Sequence, residues 1–209
     1  RMDALRGDTP REEFVRRSLK KVLFPERTRD DELPFGTEPV IDGNGTVPFT
    51  FVDLFAGIGG FRCGLTAVGG RCVKTYEWDR WAVKTYKHWY GVDEEEVTEG
   101  DFTEIDPAGI PDHDVLAAGF PCQPFSKSGT QTGLRDQTRG TLFFDVMEIV
   151  RARKPPFVIL ENVRNLAGPR HRGTWTTILD SLRAEEYIVD EEPLVLSPHR
   201  LSRDEGGAP

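Results

Sequence analysis

The chain has 209 residues, 37% of them hydrophobic, and carries 27 Lys and Arg against 35 Asp and Glu, a formal net charge of −8. That length suits one ordinary globular core better than two, and the acidic balance argues against a surface that wraps nucleic acid on all sides, so any such footprint is local or lies on polypeptide not present here. No run of about 18 apolar residues and no charged-then-apolar leader occurs, which argues against a membrane span or secretory signal and points to a cytoplasmic protein.

The first segment, 1–48, reads as an extension. Thr9, Pro10 and Glu12 fit an N-cap, a first-turn proline and the third-position acid of a capping box. Val15, Leu19, Val22 and Leu23 then form one helical stripe, which Pro25 ends. The basic residues Arg16, Arg17, Lys20 and Lys21 are read as a solvated face. Residues 26–48 show no period and read as a linker or an extended wrap.

From residue 50 onward, short apolar runs alternate with helical segments, the pattern of an α/β domain with a largely parallel sheet. Strands are expected at 50–54, 72–77, 114–119, 157–162 and 187–195, with a weak one at 95–98. Helices are expected at 59–68, 79–89, 141–153 and 174–185. In the third of these, Leu142, Val146, Ile149 and Val150 form the apolar stripe and Pro155-Pro156 stops it. No internal repeat is visible. The domain reading is an extension over 1–48 and one α/β domain over 49–209. The start at Arg1 and the charged, glycine-rich run from Leu201 to Pro209 read as cut or processed ends.

Ligand sites of open α/β sheets lie beyond the carboxyl ends of the strands, so the residues just past each strand carry the functional signal. After the first strand, Phe55-Ala56-Gly57-Ile58-Gly59-Gly60 permits a tight turn and close backbone approach before a helix N-terminus, as a cofactor loop does and as a packing turn also does. The second strand ends in Glu77-Trp78-Asp79, an acid placed where a ribose diol would sit, with Asp79 also suited to cap the next helix. Gly100-Asp101-Phe102 offers a carboxylate beside an apolar face, or an ordinary turn.

Cys63, Cys72 and Cys122 are odd in number and lack metal or disulfide spacing, so free thiols are expected and no metal site. Cys63 and Cys72 are assigned to packing. Cys122 follows the apolar run 115–119 after Pro121 and opens a Ser-, Gly- and Gln-rich loop that suits closure over a substrate. A thiol there needs help to ionise. Glu161 ends the apolar run 157–160, and a carboxyl at that depth is expected to keep or share a proton; the plainer reading is an acid satisfied by nearby backbone donors.

These residues carry a family resemblance. The stretch from Phe51 to Phe61 resembles the S-adenosylmethionine loop of the cytosine-C5 DNA methyltransferases, Glu77-Trp78 their ribose and adenine contacts, and Gly100-Asp101-Phe102 their adenine motif. Gly119-Phe120-Pro121-Cys122-Gln123-Pro124-Phe125-Ser126 resembles their nucleophile motif. Arg139-Gly140-Thr141-Leu142-Phe143-Phe144 and Glu161-Asn162-Val163 resemble the next two, in order. The resemblance covers roughly residues 51–196.

It implies a Rossmann-like methyltransferase fold, a mostly parallel sheet with helices on both faces. It implies that S-adenosyl-L-methionine is held by Phe55, Ala56, Gly57, Ile58, Gly59, Gly60, Glu77, Trp78, Asp101, Phe102, Pro121 and Leu142. Catalysis would fall to Cys122 and Glu161, and contacts to a flipped cytosine or its phosphates to Gln123, Ser126, Ser128 and Arg139. The implied partner is double-stranded DNA, with no membrane, in an epigenetic or restriction-modification role beside a cognate restriction endonuclease. The family continues with a further arginine motif, a target-recognition region and a last motif that completes the cofactor pocket, and this chain stops before them. It therefore reads as a catalytic half with weak or no transferase activity unless a second chain supplies the rest. The alternative readings are an RNA cytosine-C5 methyltransferase of the same family, a non-catalytic S-adenosylmethionine-binding module and, from the fold alone, a nicotinamide-dependent dehydrogenase.

Overall fold

The computed structural model describes residues 49–121 and 142–195. The expected N-terminal helix and the segment holding Cys122, Gln123, Ser126, Ser128 and Arg139 lie outside the described residues. The chain divides into two units, one ending at Asn162 and one beginning at Val163.

The first unit is a parallel sheet. β1 (Phe49–Leu54) leads to α1 (Gly60–Ala67), β2 (Gly70–Glu77), α2 (Arg80–Tyr90) and β3 (Val97–Glu99). Two short 3-10 turns lead to β4 (Val115–Gly119), and α3 (Leu142–Arg153) precedes β5 (Phe157–Glu161). The strand order is β3-β2-β1-β4-β5, with every pairing parallel. The chain moves outward from β1 through β2 to β3, then crosses to β4 and continues to β5. Right-handed crossovers therefore put α1 and α2 on one face and α3 on the other, and the strand order reverses between β1 and β4.

Burial follows from that sandwich. Phe49, Phe51, Val52 and Leu54 of β1 are all fully buried, as a strand covered on both faces must be. Phe49 and Phe51 pack with Leu65 of α1 and with Cys72, Val115 and Ala117. Val83 and Tyr86 of α2 join Ala56 and Val97 in a second cluster. On α3 the buried residues are Phe143, Val146, Met147, Ile149 and Val150, while Leu142, expected in the stripe, is half-buried at the helix start. The register of β1 against β4 is set by a latch between distant residues. The Thr50 backbone N–H and hydroxyl both donate to Asp114 Oδ2, at 2.7 and 2.9 Å. The Asp114 N–H donates in return to the Thr50 carbonyl at 3.0 Å.

The helices end where the local chemistry says they should. Asp79 caps α2 by accepting the Trp81 and Ala82 N–H groups at 2.8 Å each, and Gly91 closes it in a left-handed conformation, φ 64°. Lys154 follows α3 at φ 48°, just before the two prolines.

The second unit holds two short 3-10 turns and α4 (Arg172–Ala184), with Ile178, Leu179 and Leu182 buried. The strand expected at 187–195 is absent. Its apolar residues flank Asp190-Glu191-Glu192-Pro193, and a proline cannot donate to a ladder. The segment is instead tied to α4, whose Trp175 indole N–H donates to the Glu191 carbonyl at 3.0 Å, and Ile188 is left 82% exposed.

Candidate active site

The glycine loop is a backbone device. Phe55 takes φ 56°, uncommon for a residue with a side chain, and its ring packs at a tilt of 42° against buried Phe102, 4.3 Å between centroids. Gly57 and Gly59 also have positive φ, 56° and 95°. The Ala56 N–H donates to the Tyr76 carbonyl at 3.3 Å, and the Gly59 N–H closes the turn on the Ala56 carbonyl at 2.8 Å. No side chain caps α1, so the helix presents its first N–H groups uncapped at the sheet's carboxyl edge. Ile58 is half exposed, and Gly60 is exposed at the start of α1.

Glu77 joins three segments. One carboxylate oxygen accepts the Gly57 N–H at 2.7 Å, the other accepts the Asp79 N–H at 2.8 Å, and the Glu77 carbonyl accepts the Gly100 N–H at 3.2 Å. The side chain is buried and fixed before any ligand arrives, and each oxygen keeps a lone pair for a hydroxyl. Trp78, next to it, is 78% exposed. Asp101 accepts both the N–H and the hydroxyl of Thr103 at 2.9 Å, capping the short turn that holds Phe102 under Phe55.

At the β4–β5 edge, Gly119 pairs with Glu161. A Cβ at Gly119 would stand 3.3 Å from Glu161 Oε2 and 3.7 Å from the Phe61 ring, so the absence of a side chain there lets the carboxylate lie across the strand end. The depth expected for Glu161 is not found. It is exposed and the rest of β5 half-buried, because β5 is the last strand of the described sheet and only β4 flanks it. The Asn162 side-chain amide donates to the Phe120 carbonyl at 2.7 Å, holding the strand end that runs on to Pro121. Phe120 is buried against Phe143, while Pro121 is exposed and is the last described residue before Leu142. Cys72 is buried as a neutral thiol whose pKa burial pushes up, with its sulfur 3.2 Å from the Thr75 hydroxyl, and Cys63 is partly buried on α1.

Two features escaped the sequence reading. Asn162 was noted only as part of a motif. Asp53 sits within β1, fully buried, with no well-formed hydrogen bond to either carboxylate oxygen, the Arg62 backbone amide reaching it only weakly. Burial pushes its pKa from 3.8 up to about 7; the Arg62 backbone amide and guanidinium pull it down, and Glu77 adds to the rise. The available signal was a lone carboxylate at an inward position of an apolar strand.

Among the described residues no group of three or more His, Cys, Asp or Glu is placed to hold a metal ion, and no helix is long and apolar enough to cross a membrane. The donors that are present fit a nucleoside with an attached amino acid: backbone N–H groups at a helix start, a preset carboxylate for a diol, and an exposed indole beside it.

Residues 49–197 match the family of C-5 cytosine-specific DNA methylases. The Type II methyltransferase M.AluI of Cellulosimicrobium cellulans is 48% identical over 169 residues, 77% of this chain and 31% of that protein. The Type II methyltransferase M.HhaI of Haemophilus parahaemolyticus is 47% identical over 137 residues, 66% of this chain and 40% of that protein. The chain thus spans less than half the length of these relatives. Among solved structures, a triple variant of DNMT2 from Spodoptera frugiperda aligns at TM-score 0.48 and 22% identity over 66% of this chain and 42% of that one. The family match begins with β1 and runs past β5, through every strand that carries a site residue, and on that ground the chain belongs to the C-5 cytosine-specific DNA methylase family.

Proposed function

We propose that this chain is the cofactor-binding and catalytic portion of a DNA (cytosine-5-)-methyltransferase, moving a methyl group from S-adenosylmethionine to C5 of a cytosine flipped out of duplex DNA. The observation that carries it is the placement of the glycine loop, Glu77 and Glu161 at the carboxyl ends of β1, β2 and β5, parallel strands on the two sides of the reversal of strand order between β1 and β4. Target recognition is assigned to segments outside the matched region, on the same polypeptide or on a second chain. The Type II methyltransferases among the relatives support a place in a restriction-modification system with a cognate endonuclease.

In this reading the loop amides and Glu77 orient the nucleoside, Trp78 covers its base, and Phe55 and Phe102 wall the pocket. S-adenosylmethionine, when bound, would supply the methyl group that C5 accepts, the S–CH3 bond breaking to leave S-adenosylhomocysteine. Cytosine C5 is too weak a nucleophile unaided, so Cys122, directly after Pro121 in the chain, adds as thiolate to C6. Glu161, holding a proton that it donates to or shares with N3, stabilises the charge that develops on the ring. When C5 has been substituted it loses its proton to a base or water, the C5–C6 double bond re-forms, and Cys122 leaves as thiolate. Because no ring inside a stacked duplex exposes C6 to a thiol, the base must be extruded. Gln123, Ser126, Ser128 and Arg139 are assigned to holding it.

The test is transfer of labelled methyl from S-adenosylmethionine to genomic DNA, with transfer RNA and a Cys122→Ser chain in parallel and cofactor binding measured by calorimetry. The expected result is label on DNA once the segments outside the matched region are supplied, little or none from the 209-residue chain alone, and loss of that label in the serine variant with cofactor binding retained. Label confined to transfer RNA, label that survives in Cys122→Ser, or no binding of S-adenosylmethionine would overturn it.

A further inference from the structure

Gly59 is the last residue of the cofactor loop before α1, and the structure shows what holds it. Its carbonyl accepts the first helical bond from the Cys63 N–H at 2.9 Å and a second bond from the Tyr90 hydroxyl at 2.8 Å. Tyr90 is the final residue of α2, 31 positions away. The fit leaves no slack: a Cβ on Gly59 would stand 2.4 Å from the Tyr90 ring and 2.9 Å from the Tyr86 ring.

Tyr90 is in turn held by Arg62 on α1. The Arg62 guanidinium lies over the Tyr90 ring at 4.8 Å and over the Tyr86 ring at 5.4 Å, within cation–π range of both. One of its nitrogens donates to the Tyr86 hydroxyl at 3.3 Å and also pairs with Glu96. Glu96 sits in the turn that Asp93 caps before β3, and its carbonyl accepts the Thr75 N–H from β2 at 2.8 Å. The Tyr86 hydroxyl completes the set by bonding Thr75 Oγ1 at 2.8 Å. The chain of contacts runs from the β3 turn through a guanidinium and two phenols to one carbonyl of the cofactor loop.

We propose that Arg62 and Tyr90 are positioning residues for the cofactor, clamping the Gly59 carbonyl so that the loop and the first N–H groups of α1 stand in their binding geometry before the ligand arrives. This rests on the proposed cofactor site. Neither residue touches the ligand; they act through the loop. Preorganisation of this kind raises affinity by removing the cost of ordering the loop on binding.

The test is Tyr90→Phe in the 209-residue chain, which keeps the ring and its packing and removes only the hydroxyl. Calorimetry with S-adenosylmethionine is expected to show Kd raised about three- to tenfold, the loss of one net hydrogen bond. Glu96→Gln should move Kd in the same direction by less, and amide exchange at Gly57, Ile58 and Gly60 should quicken in both variants. Ile149→Val on α3 serves as the control, because it lowers stability by a similar amount away from the loop. A Kd unchanged in Tyr90→Phe, or raised equally in Ile149→Val, overturns the clamp while the parent's binding keeps the cofactor site intact. A parent chain that binds no S-adenosylmethionine overturns both.

Discussion

Replacing Asp53 by Asn should change how stability depends on pH, and the size of the change follows from burial alone. In the folded chain burial raises the carboxyl from 3.8 to about 7, so between those values the native state holds a proton that the unfolded state has released. Stability therefore falls as pH rises through that window and levels off above it. Linkage puts the penalty at about 2 kcal/mol at pH 5 and about 4 kcal/mol at pH 8, a change of about 2–3 kcal/mol. Two other groups that face Asp53 do not mimic this, because burial pushes Cys72 and Tyr86 up, away from neutral pH. Arg62 and Glu77 also face Asp53 and are retained in both chains. Urea unfolding of parent and Asp53→Asn at pH 5, 6, 7 and 8 reads the effect as a slope, free of any constant offset from the amide. The variant's advantage should grow by about 2–3 kcal/mol across the series. Parallel profiles would refute the reasoning and mean that Asp53 is ionised in the native state, with a compensating donor.

Gly59→Ala should weaken S-adenosylmethionine binding at least about tenfold by calorimetry, since a side chain at φ 95° is strained and its Cβ meets the Tyr90 ring at 2.4 Å. Asp79→Ala should cost about 1 kcal/mol in urea unfolding by uncapping two N–H groups of α2. Phe51→Ala, in the fully buried centre of β1, should cost about 3–5 kcal/mol in the same measurement.

Much of the fold was legible because buried parallel strands read as unbroken apolar runs and their chemistry sits at the ends. β1, β2, β4 and β5 and all four described helices fall within a few residues of expectation, and Asp79 caps α2 as its place in the sequence suggested. The exposure of Glu161 was not legible: the apolar run before it is the same for a central strand and an outermost one, and only sheet order distinguishes them. The run at 187–195 misled for the related reason that apolar residues make a strand only where a neighbour accepts them. Arg62, Glu96 and Tyr90 were invisible because their contacts span 31 and 34 residues, beyond any local pattern. Cys122, the proposed nucleophile, was legible only as part of a motif, and its segment lies outside the described residues.

The Thr50–Asp114 latch has a kinetic consequence. β1, β2 and β3 are near neighbours in sequence and pair through short crossovers, but the latch joins residues 64 apart. Closing a loop of that length costs about 3.7 kcal/mol of chain entropy beyond the constant term, and slow folding accompanies such long-range pairing. The glycine loop and Glu77 belong to the early half and the Gly119–Glu161 edge to the late one. On a ribosome, a chain that has not yet emerged past Asp114 already carries the glycine loop and Glu77 and has no Gly119–Glu161 edge beside them.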